Sequence, residues 1–268
     1  MLATPGVAPL RTGSVISTIY GDAILPRGGA LALPDLLALM RRLGANDGVV
    51  RTAVSRLARD GVLEGRRTGR TSAYALSETA RTEFLAAVPR IYGAPPGRWD
   101  GDLHLAFPEP GADRAALEAC GFALLAPGVL IGLKAAPKSE HTVVGRAEPG
   151  TARALANRAW PVQHSEARYR AFMPIFAQFG DVAAPTPLDA MAARTMVIHA
   201  FRRAALRDPR LPPGLLPPDW TGFTARALCR KLYDAFAPAA ERWLDTTTSR
   251  SGPLPRGPDP TLRFDTEA

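Results

Sequence analysis

The sequence has little cysteine, almost no lysine and no long apolar run, and each shortage narrows what the chain can be. Cys120 and Cys229 are its only cysteines, which excludes a disulfide framework and a cysteine-rich zinc site. The histidines, His104, His141, His164 and His199, show no H-x-x-x-H spacing, so no metal site is expected. No stretch reaches the roughly 18 apolar residues of a membrane-spanning helix. The opening MLATPGVAPLRTGSV lacks the apolar core of a secretion signal. G-x-S-x-G, G-x-x-x-x-G-K-S/T and C-x-x-C are all missing, and Asp189 and His199 have no serine near them. No catalytic residue, enzymatic activity or cofactor is therefore expected, and the expected location is the cytoplasm.

What is present is apolar residue and arginine. With 268 residues and 46% hydrophobic content, the chain is long enough for two or three compact units. Lys134, Lys138 and Lys231 are the only lysines among 33 basic residues, and the net charge is +8. An alanine-, glycine- and proline-rich composition accounts for the bias towards arginine, but not for where the charge falls. Residues 41–70 carry eight arginines against Asp47, Asp60 and Glu64. A local basic excess is the electrostatic footprint of a polyanionic partner.

Breaks in composition divide the chain into residues 13–90, 98–148, 150–245 and a tail, 246–268, with the GAPPGR stretch as a linker. The tail has no apolar period and is expected to lack order. In the first region, Ser14–Ile24 has helical periodicity, and PRGGALAL reads as a turn into a short strand. Pro34 suits the first turn of a second helix closed by Gly44. Asn46 or Asp47 can cap a third helix closed by Gly61. VLEGRR and TSAYALS read as two strands around a turn at Thr68–Gly69, and a last helix runs from about Glu78 to Val88. Helix, strand, helix, helix, strand, strand is the order of a winged helix-turn-helix.

A wheel of the third helix sorts its faces. Val50, Val54 and Leu57 fall within about 60° of one another and form the stripe to be buried. Gly48, Thr52, Ser55, Arg56 and Arg59 lie opposite, with Arg51 on the flank and Asp60 off that face at the end. Small residues, hydroxyls and arginine forks suit a DNA major groove. Arg66, Arg67 and Arg70 bracket the hairpin turn, where they can reach a minor groove or phosphates. An ordinary charged hairpin tip would look the same in isolation; beside this helix, DNA contact is the better reading. PRGG at 26–29 could contact a phosphate, although a tight turn explains it more simply.

GDAILPRGGALAL followed by VVRTAVSRLARDGVLEGRRTGRTSAYALS resembles the N-terminal domain of PaaX-type transcriptional repressors, which control bacterial phenylacetate degradation operons. Trp160, ARYRAF at 167–172 and ARTMVIHAFRRAALRDPRLPPGLLPPDW at 193–220 resemble that family's closing domain more specifically. The resemblance spans roughly residues 14–244. It implies an α+β protein with an N-terminal winged helix-turn-helix, a middle ferredoxin-like domain and a helical C-terminal domain. It also implies a homodimer that binds double-stranded operator DNA and is released by phenylacetyl-coenzyme A.

The middle region departs from that pattern. WDGDLHLAFPEP, FALLAP, GVLIGL and TVVGRA read as strands and DRAALEACG as a helix. Only KAAPKSEH separates the last two strands, too short for a second crossover helix, so a truncated ferredoxin-like domain is expected. The region also resembles small nucleases of CRISPR adaptation, which place an aspartate at the end of the first strand. Here that strand ends at Phe107–Pro108 and only Asp100 and Asp102 precede it, so a nuclease is disfavoured.

A coenzyme A thioester needs arginines and an aromatic face. The helix around ARTMVIHAFRR carries Arg194, Ile198 and Arg202 on successive turns, with His199 and Arg203 beside them. Met191, Thr195, Ile198 and Phe201 read as core. His199, Arg202, Arg203 and Trp160 are the candidate ligand-binding residues, although Trp99, Trp160 and Trp220 are more simply explained as packing anchors between elements. An effector of another acyl-CoA or aromatic type is the alternative.

Overall fold

The computed structural model describes residues 11–68, 71–109, 114–135, 141–179, 186–249 and 252–265; for residues 66–68 and 71 it describes the backbone alone. The chain is α+β and divides into two compact units. One comprises the described parts of residues 1–94, 168–206 and 223–268, and the other residues 95–167 and 207–222.

The first unit opens with α1 (Thr12–Ile19), which runs through a π-helical turn at Tyr20–Ile24. The expected helix of 14–24 is thus continuous, and Val15, Ile16, Ile19 and Tyr20 are buried along it. After β1 (Ala30–Ala32), α2 (Leu33–Arg42) carries Pro34 in its first turn. α3 (Asp47–Arg59) is capped by Asn46, whose side chain accepts from the Gly48 N–H at 2.8 Å. The chain leaves α2 and α3 through Gly44 and Gly61, at φ +85° and +72°. These left-handed conformations are why glycine stands at both ends.

β2 (Leu63–Thr68) and β3 (Thr71–Leu76) pair antiparallel with Thr68 opposite Thr71, and β1 joins the other edge of β3 to give the order β1-β3-β2. α4 (Glu78–Ile91) is capped by Ser77 and continues through Pro89, three residues beyond the expected end. Pro89 has no N–H to donate to the carbonyl four residues back, so the last turn runs on with one bond fewer.

The second unit holds β4 (Asp102–Ala106), α5 (Arg114–Ala119), β5 (Ala123–Ala126), β6 (Val129–Gly132) and β7 (Thr142–Arg146). The strands form one antiparallel sheet in the order β5-β6-β4-β7, with Ala106, Leu117, Phe122 and Leu130 as its core. Among the described residues no helix separates β6 from β7. α6 (Pro149–Ala159), which follows β7, packs on β5 and β6. The proline-rich string 208–220 belongs here and buries Leu211, Leu215, Leu216 and Trp220.

α7 (Gln163–Ala177) begins in this unit and ends in the first. α8 (Pro187–Ala205) and nearly all of α9 (Gly222–Asp245) also belong to the first unit, so residues 150–245 do not form a domain of their own as expected. The reason is the burial of α8: eleven of its nineteen residues are buried, more than one amphipathic stripe supplies, and it packs on α1, α2 and α4.

The tail also differs from expectation. β8 (Thr248–Ser249) and β9 (Gly252–Pro253) pair, Leu254 is buried, and Phe264 lies edge-on to Tyr92 and Tyr233. Two anchoring apolar side chains and one arginine, Arg263, hold a segment that has no periodicity to announce it.

Candidate functional site

The third helix presents the faces its wheel predicts. Val50 and Val54 are fully buried and Leu57 is half-buried, whereas Arg51, Thr52, Ser55, Arg56 and Arg59 are exposed together on the opposite side. Arg56 and Arg59 each keep 75% of their side chain in solvent. Thr52 donates its hydroxyl hydrogen to the Gly48 carbonyl at 2.9 Å, which leaves its oxygen lone pairs facing outward as acceptors. One detail differs from the wheel. Asp60 is not off the basic face, because its carboxylate oxygens lie 3.7 Å from Arg56 Nε and 3.6 Å from Arg59 Nε. An (i, i+4) neighbour shares a helix face, and the arginine stems are long enough to reach back to it.

The pose of α3 is fixed from the C-terminal end of α2. Arg41 holds Asp47 in a two-pronged pair, with Nε on Oδ1 at 2.6 Å and Nη2 on Oδ2 at 2.5 Å. This pair holds the Asp47 carboxyl below its usual range. Arg42 donates to Asp189 at the start of α8, where Thr186 caps the helix. Two of the arginines that raise the local charge are therefore structural. Arg66 and Arg67 lie on β2 opposite Ala73 and Ser72, beside the hairpin turn. Their side chains, and all of Arg70, lie outside the described residues.

The ligand candidates fall in two units and differ in exposure. His199 is 2% exposed, with Nδ1 2.8 Å from the Thr18 hydroxyl, which itself donates to the Ser14 carbonyl. Burial, with Arg202 and Arg203 nearby, pushes its pKa down to about 4, so it is a neutral core residue at physiological pH. Arg203 is exposed, and Trp160 belongs to the second unit at the end of α6. Arg202 reaches a cavity. This space of about 210 Å³ lies between α1, α4 and α8 and is walled by Phe84, Val88, Ile91, Tyr92 and Ile198.

A second group of charges went unread in the sequence. Arg194, 2% exposed, donates to Asp22 Oδ2 at 2.8 Å and to Glu241 Oε1 at 2.6 Å and stacks 4.5 Å from the Tyr233 ring. Arg27, from the PRGG turn, donates to Glu241 and pairs with Asp245 at 2.8 Å. It is buried and committed, so the PRGG cation is not a phosphate ligand. Burial works against the Arg194 charge, yet the carboxylates outweigh it and raise its pKa. The signal available was Asp22 itself, a lone acid inside the apolar run SVISTIYGDAIL, since such a residue needs a buried partner.

In the second unit, the carboxylates weighed for nuclease chemistry have structural partners. Asp100 accepts from the Asp102 N–H at 3.0 Å, and Asp102 accepts from Arg146 Nε at 2.6 Å. Among the described residues no three His, Cys, Asp or Glu side chains cluster to hold a metal ion. No described helix is long and apolar enough to cross a membrane.

Three comparisons bear on this arrangement. Residues 11–80 match the model of the PaaX-like protein family, and residues 160–246 match that of the PaaX-like protein C-terminal domain. The chain is 33% identical over 263 residues to the transcriptional repressor PaaX of Escherichia coli strain K12, covering 87% of this chain and 82% of that one. Its fold is similar to that of an uncharacterized protein from Mycobacterium tuberculosis, with a TM-score of 0.56 at 23% identity, over 87% of this chain and 98% of that one. Two family matches at the two ends, and a relative of that identity across most of the length, leave one assignment. The chain belongs to the PaaX family, whose members are transcriptional regulators and not enzymes.

Proposed function

We propose that the protein is a cytoplasmic, homodimeric repressor of a phenylacetate catabolic operon. The observation that carries the reading is the exposed face of α3, where Arg51, Thr52, Ser55, Arg56 and Arg59 stand opposite buried Val50 and Val54. In this reading residues 13–90 are a winged helix-turn-helix, with β2 and β3 as the wing. α3 enters the major groove, where arginine forks match guanine edges and hydroxyls accept from amino groups. Arg66, Arg67 and Arg70 at the wing clamp the flanking backbone. The second unit is a ferredoxin-like domain reduced by one crossover helix.

The effector in this reading is an aryl-coenzyme A thioester such as phenylacetyl-coenzyme A, as the family relationship suggests. Its binding changes the spacing of the two α3 helices, which no longer fit half-sites about one helical turn, or a multiple, apart. Operator and effector then weaken each other reciprocally, as linkage requires. A regulator of the same architecture with a different acyl-CoA or aromatic effector is the second reading, favoured by the burial of His199 against Thr18, which takes it out of any ligand contact.

The test is fluorescence anisotropy on DNA from upstream of the protein's own gene cluster. It is run with and without phenylacetyl-coenzyme A, with free phenylacetate and coenzyme A as controls. Release by the thioester supports repressor and effector together. Tight specific binding that ignores the thioester keeps the repressor and selects the second reading. Absence of specific binding overturns the proposal.

A further inference from the structure

Two buried arginines of the first unit have partners of opposite charge. Arg194 is met by Asp22 and Glu241, and Arg27 by Glu241 and Asp245. Arg202, on the same helix as Arg194, is different. Among the described residues no carboxylate pairs with it, and its Nε is buried without a hydrogen-bond partner. Its Nη2 makes only two long contacts, 3.5 Å to the Ser14 carbonyl and 3.4 Å to the Ser14 hydroxyl. A desolvated guanidinium left this way is costly unless an anion completes it, and burial here does lower its pKa.

The cavity on which Arg202 opens defines what that anion can be. Its walls are largely apolar and aromatic, which favours a hydrophobic body beside the charge. The polar groups among them are already engaged: Asp22 accepts from Tyr92 and Arg194, and Thr18 donates to Ser14. Glu83 also borders the space, but it is exposed and makes no ion pair with Arg202. At about 210 Å³ the cavity falls below the roughly 300–1,000 Å³ of ordinary drug-sized or cofactor pockets, so a coenzyme A moiety does not fit inside it.

We infer that the cavity between α1, α4 and α8 binds a small monocarboxylate with a compact apolar body, its carboxylate received by Arg202. This ligand is chemically distinct from the thioester proposed above, and its binding does not depend on the DNA-binding reading. Its position gives it leverage on that reading, because α1 packs against α3 and α8 is tied to α2 through Asp189 and Arg42. A molecule that wedges these helices acts on the elements that hold the basic face of α3.

The test is calorimetric titration of the full chain, without DNA, using benzoate, phenylacetate and hexanoate as probes. Benzyl alcohol, 2-phenylethanol and hexan-1-ol serve as neutral counterparts. The expected result is binding of at least one carboxylate, at least tenfold tighter than its alcohol. Arg202→Gln should weaken it more than tenfold, and Arg203→Gln should leave it unchanged. Ala87→Phe, which fills the cavity from α4, should abolish binding while keeping Arg202; it decides the matter if R202Q does not fold. Equal binding of acids and alcohols, binding indifferent to R202Q or A87F, or no binding of any probe overturns the inference. Operator binding in the absence of ligand is read separately, so the two proposals fail independently.

Discussion

Arg194 Nε donates to Asp22 Oδ2 at 2.8 Å, with both side chains 2% exposed, and so ties α8 to the π-helical turn that follows α1. The pair is held from both sides. Tyr92 donates its hydroxyl to the other Asp22 oxygen at 2.7 Å, and Glu241 from α9 takes a second prong of Arg194. Removing one partner would leave an uncompensated buried charge, which costs about 3–5 kcal/mol. Arg194→Met is expected to lose stability in that range, measured as a fall in the urea midpoint. A change within experimental error would mean that water reaches the cluster.

His199 makes stability depend on acid. Its pKa of about 4 in the folded protein lies below the ordinary value of 6.5, so the unfolded chain takes up a proton that the folded chain refuses. The contribution is complete above pH 6.5 and is lost as pH falls from 6.5 towards 4. The full loss is on the order of 3 kcal/mol at about 1.4 kcal/mol per pKa unit. Chemical denaturation across that window should show the slope, and His199→Gln should flatten it.

Operator recognition should divide between helix and wing. Arg56→Ala is expected to cost about 1–3 kcal/mol of operator affinity and to relax one base preference. Arg67→Ala should weaken all sequences alike and reduce the slope of log K against log salt by about 1. Anisotropy titrations at several salt concentrations read both effects, and unchanged binding in both variants would sink the docking scheme.

The tail offers a third stability test. Phe264 is 1% exposed, and its ring meets those of Tyr92 and Tyr233. Phe264→Ala should cost about 3–5 kcal/mol, the usual loss for a buried aromatic. A chain ending at residue 249 should melt at a lower temperature in calorimetry. Equal melting would show the segment to be an onlooker.

Local chemistry carried much of the first region. Glycine at the ends of α2 and α3, the Asn46 cap and the valine stripe of α3 are each decided by residues within a few positions of one another. They could be read from order alone, as could the pairing of β2 with β3. The exposed basic face followed because a helix buries one stripe, and 100° per residue assigns the remainder.

Long-range partnership could not be read that way. Whether an arginine faces solvent or a carboxylate some 200 positions away leaves no trace in its neighbours. Arg27 therefore stayed open to a phosphate contact, beside the simpler reading of a tight turn, when it is held by Glu241 and Asp245. Asp60 read as bystander to a face it partly neutralises. Residues 246–268 read as unordered because two apolar anchors set no period, yet a prebuilt aromatic pocket needs only one ring to hold a strand of chain. The sequence by itself determined the elements and the basic helix face, which depend on short-range backbone preferences and periodicity. Only the tertiary structure decided which charges are spent on one another and that Arg202 has no carboxylate partner among the described residues, because burial and pairing are properties of segments brought together by folding.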